Sequence, residues 1–98
     1  MKLASNRELY EYLLILSSIL RIHGCEELVR GVTDASQFAA GASTEFLGES
    51  RIVLRRVAEE VAGILSKEDL ADLIEVLGQL DAALDRRGVG TKTSKGLP

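Results

Sequence analysis

Residues 66–88 read SKEDLADLIEVLGQLDAALDRRG, and this stretch decides the fold class. Leu70, Leu73, Leu77, Leu80 and Leu84 recur at alternating steps of three and four, which stacks them along one side of an α-helix and on neither face of a strand. Glu68, Asp72, Glu75 and Gln79 fall on the opposite side. Ser66 can accept a free backbone N–H of the first turn, Arg86 and Arg87 complement the dipole in the last turn, and Gly88 suits the closing position. The pattern predicts an amphipathic helix over 67–87 with its five leucines in a core.

Upstream, Leu47, Ser50, Leu54, Val57, Val61 and Ile64 keep heptad spacing and predict a helix over 45–65, opened by Ser43 or Thr44. Arg55–Glu59 and Arg56–Glu60 are four apart on its outer side, pairs worth about 0.2–0.5 kcal/mol each. Residues 26–40 carry a weaker face of Leu28, Val32, Ala35 and Ala39, flanked by Val29 and Phe38. Gly31 and the Thr33-Asp34 pair lower its propensity, so a break near residue 33 is expected. Over 5–23, Ser5 and Glu8 have capping-box spacing, Leu9, Leu13, Leu16 and Leu20 form the core side, and Gly24 closes the helix. Connections this short make neighbouring helices antiparallel. The expected fold is all-α: a small up-down bundle of about four helices in one domain over 1–88, followed by a flexible tail over 89–98.

Composition agrees. Of 98 residues 46% are apolar and 28% charged, the aromatics are two Tyr and two Phe, and the one proline is the last residue. Those values suit a folded helical domain rather than a turn-punctuated β protein. The apolar stretch from Tyr12 to Leu20 is shorter than the ~18 residues of a membrane span, and Glu8 and Glu11 precede it, unlike an export signal. One cysteine makes no internal disulfide, which points to the cytoplasm. Net charge is −3, with six acids against three bases over 66–88 and no basic stripe to follow a phosphate backbone, so a nucleic-acid partner is not expected.

Several motifs invite a chemical reading. His23-Gly24-Cys25 places the one histidine beside the one cysteine, the elements of a thiol-dependent enzyme. Glu26 and Glu27 disfavour the thiolate, however, and a turn between two helices explains the same residues. GVGTKTSKG, residues 88–96, has the glycines and lysines of a phosphate loop but follows a helix instead of a strand. The 57–78 hairpin would put Glu68, Asp69, Asp72 and Glu75 against DNA phosphates if it read a groove. GASTEFLGES, residues 41–50, carries Glu45 and Glu49 where an anion would have to sit. One histidine and no inward glutamate supply neither a bundle metal site nor a cofactor site. Catalysis, metal and cofactor are therefore not expected.

What remains is apolar surplus. Tyr10, Leu14, Ile15 and Ile22 fall off the leucine line of the first helix, along one expected flank, and Ile52 is surrounded by polar residues and glycine in the third. A leftover apolar face is a contact surface. The expected function is non-catalytic protein–protein interaction, with a homodimer through the first helix. The alternative is a regulatory or immunity-type protein that masks a basic partner with Glu68, Asp72 and Glu75.

Overall fold

The computed structural model describes residues 2–86. Four helices follow one another: α1 (Asn6–Ile22), α2 (Glu26–Ser36), α3 (Ser43–Val61) and α4 (Lys67–Arg86). Short 3₁₀ turns, Gln37–Ala40 and Ala62–Ile64, extend α2 and α3, and there is no strand among the described residues. The expected tail over 89–98, with Arg87 and Gly88, lies outside the described residues.

Each helix packs antiparallel to the next. The α1–α2 turn is closed by Gly24 at φ 77, with Cys25 N–H donating to Leu20 O and Gly24 N–H to Arg21 O, both at 3.0 Å. This is a Schellman motif, and its left-handed residue is the one expected from sequence. Between α2 and α3, a Cβ placed on Gly31 would lie 3.0 Å from Val53 Cγ2, so the Val53 side chain packs directly against the Gly31 backbone. Arg56 reaches Glu27 across the same pair at 3.8 Å. Arg51 and Arg55 both reach Asp81, at 3.1 Å, from α3 to α4. The bundle closes where Leu3 N–H donates to Gln79 Oε1 at 2.8 Å. The core contains Leu9, Leu13, Leu16 and Leu20 of α1, Leu28, Val32 and Ala35 of α2, and Phe46, Leu54 and Val57 of α3. From α4 it takes Leu73, Val76, Leu80 and Leu84.

The fold class agrees with the sequence; several details do not. α2 continues through residue 33 and changes to 3₁₀ only after Ser36. Val32 and Ala35 are buried on either side of the weak pair, so packing overrides propensity there. The change comes where the Ser36 hydroxyl donates to Thr33 O at 2.6 Å and competes with the helical ladder. α3 begins at Ser43, with Ala42 at its N-cap and no side-chain cap bond; the Ser43 hydroxyl instead accepts from Asn6 Nδ2 at 3.0 Å. Phe46 and Val53 belong to its core face, whereas Val61 is half-buried and Ile64 exposed. The helix stops at Val61, and after the 3₁₀ turn Leu65 is the buried residue.

In α4 the core face is turned toward Val76, leaving Leu70 and Leu77 half-buried. Arg56–Glu60 forms at 2.9 Å, but Arg55 reaches Asp81 rather than Glu59. The first cap is shifted as well. Ser5 accepts from Glu8 N–H at 3.3 Å, while Glu8 accepts from Ala4 N–H at 2.7 Å, one residue before the position a capping box uses. The Ser66 cap holds as read, accepting from Asp69 N–H at 3.0 Å.

Two comparisons check this packing. Leu73→Ala should cost about 2–5 kcal/mol in urea melts and Leu77→Ala clearly less; an equal loss would put Leu77 back in the core. Gly78 has open space around its Cα, so Gly78→Ala should add about 0.5–1 kcal/mol from helix propensity. Gly31→Ala should destabilise despite the same gain, because Val53 is stiff at χ1 and cannot swing away. A stabilised Gly31→Ala variant would show that the α2–α3 approach is looser than described.

Candidate functional site

The His23-Gly24-Cys25 turn is built by the helix closure just described. Cys25 is half-buried against the core, and its thiol faces His23 backbone O at 3.9 Å. His23 is exposed. The thiol's contact is thus with a carbonyl rather than the imidazole that would have to take its proton. Cys25 borders a shallow hollow of about 350 Å³ shared with Glu26, Glu27 and Glu60. Among the described residues no group of three His, Cys, Asp or Glu side chains is placed to hold a metal ion, and no helix is long and apolar enough to cross a membrane.

The acidic side of α4 is divided. Glu68 and Glu75 are exposed, whereas Asp72 is half-buried close to Tyr12. Tyr12, which opens the apolar stretch of the first helix, is buried, and its Oη has no hydrogen-bond partner among the described residues. Burial, and secondarily the charges of Asp72 and Asp69, push its phenol well above the usual value of 10.0.

The surplus apolar residues are all exposed, as their spacing implied: Tyr10, Leu14, Ile15 and Ile22 on α1, and Ile52 on α3. They do not share one flank. Tyr10 and Leu14, four apart, lean toward α2 and line a groove of about 730 Å³ with Thr33, Ser36, Ala39 and Ala40. Ile15 and Ile22, seven apart, follow the other edge of the same outer side. Between the two edges stand Arg7, Glu11 and Ser18, all exposed. The outer side of α1 is therefore a broad surface with two apolar edges. Ile52 is separate, on the side of α3 turned away from the core.

Two further apolar residues are exposed: Ile74, which sequence reading passed over, and Ile64, which it placed on the heptad seam of α3. Ile74 could have been found, because it falls between the leucine steps of α4 and beside its polar side. Ile64 could not, because its exposure depends on where α3 stops. Compared with protein-family models, with curated proteins and with solved structures, the chain finds no match.

The Tyr12 phenol makes a pH prediction. Its ionisation is opposed in the folded chain and unopposed in the unfolded one, so its contribution is intact below pH 10.0 and is lost as pH rises beyond that value. Urea melts at pH 8 and pH 11 should show the wild type losing more stability than Tyr12→Phe. Equal losses would place the Tyr12 hydroxyl in water.

Proposed function

We propose that the protein acts by protein–protein contact, without catalysis, and associates with a second copy of itself through α1. The observation that carries this reading is the outer side of α1, where Ile15 is 56% and Ile22 82% exposed and Tyr10 and Leu14 open onto an apolar groove. Single exposed apolar residues are ordinary on a folded domain, but here four of them repeat along the two edges of one helix face. Burying it removes apolar area from water at about 25 cal/mol per Å². A two-fold arrangement lets one patch cover itself, which is why dimers are the commonest outcome of such a face. The cytoplasm is the compartment that suits a bundle whose described residues include one free thiol and no disulfide.

A basic partner held on α4 has less support. Of Glu68, Asp72 and Glu75, only the outer two are exposed.

Sedimentation at micromolar concentration should give a dimer for the wild type and a folded monomer for Ile15→Glu. Ile15 is exposed in the single chain, so the charge would meet water there and need not unfold the bundle. Ile52→Glu should remain dimeric. A wild-type monomer refutes the reading, and a dimeric Ile15→Glu with a monomeric Ile52→Glu moves the contact to α3.

A further inference from the structure

We draw no further inference here: the strongest candidate, the apolar groove between α1 and the end of α2 beneath Tyr10 and Leu14, belongs to the α1 surface already described, and nothing in the structure shows what covers it.

Discussion

The leucine stripe of α1 is the constraint on which the rest of the bundle depends. Leu9, Leu13, Leu16 and Leu20 are at most 1% exposed, and the core that covers them draws buried residues from α2, α3 and α4. Each covering helix is amphipathic and must turn its own polar side to water. None can also wrap the far side of α1. The aliphatic residues there stay outside because three short helices have already been used on the inner stripe.

Charged pairs contribute little to this frame. Arg51 and Arg55 meet at Asp81, and Arg56 lies between Glu27 and Glu60, but most of these side chains are substantially exposed. Such pairs are worth roughly 0–1 kcal/mol each. Their value is positional, since they join α3 to both of its sequence neighbours. Gly31 against Val53 and Gly24 restrict the geometry more strictly, the first by close packing against a side chain and the second by its left-handed backbone. A frame held by close approach and caps presents the outer side of α1 as a fixed surface.

How far the sequence could be read depended on the range of the interaction involved. Local rules located the Ser66 cap, the Gly24 closure and the core side of α1. They also showed which α1 residues would be left outside. What they missed was tertiary. Gly31 reads as a weak point until α3 is placed against it, and Leu77 is only half-buried where its neighbour Val76 is fully buried. Ser50 occupies the seam position its spacing assigned and is fully buried, yet only the structure shows its hydroxyl without a partner among the described residues. The two edges of the α1 surface, by contrast, follow from helical periodicity alone, and only the groove under Tyr10 and Leu14 needs the α2 end in place.

The central claim is that the outer side of α1 is a contact surface in its own right. Amide ¹H–¹⁵N spectra of the wild type, recorded from low micromolar to millimolar concentration, test it residue by residue. Concentration-dependent shifts or broadening are expected between Arg7 and His23, with α3 around Ile52 and the outer side of α4 around Ile74 unchanged. Spectra constant across the whole range, or changes confined to Ile52 and Ile74, would contradict it.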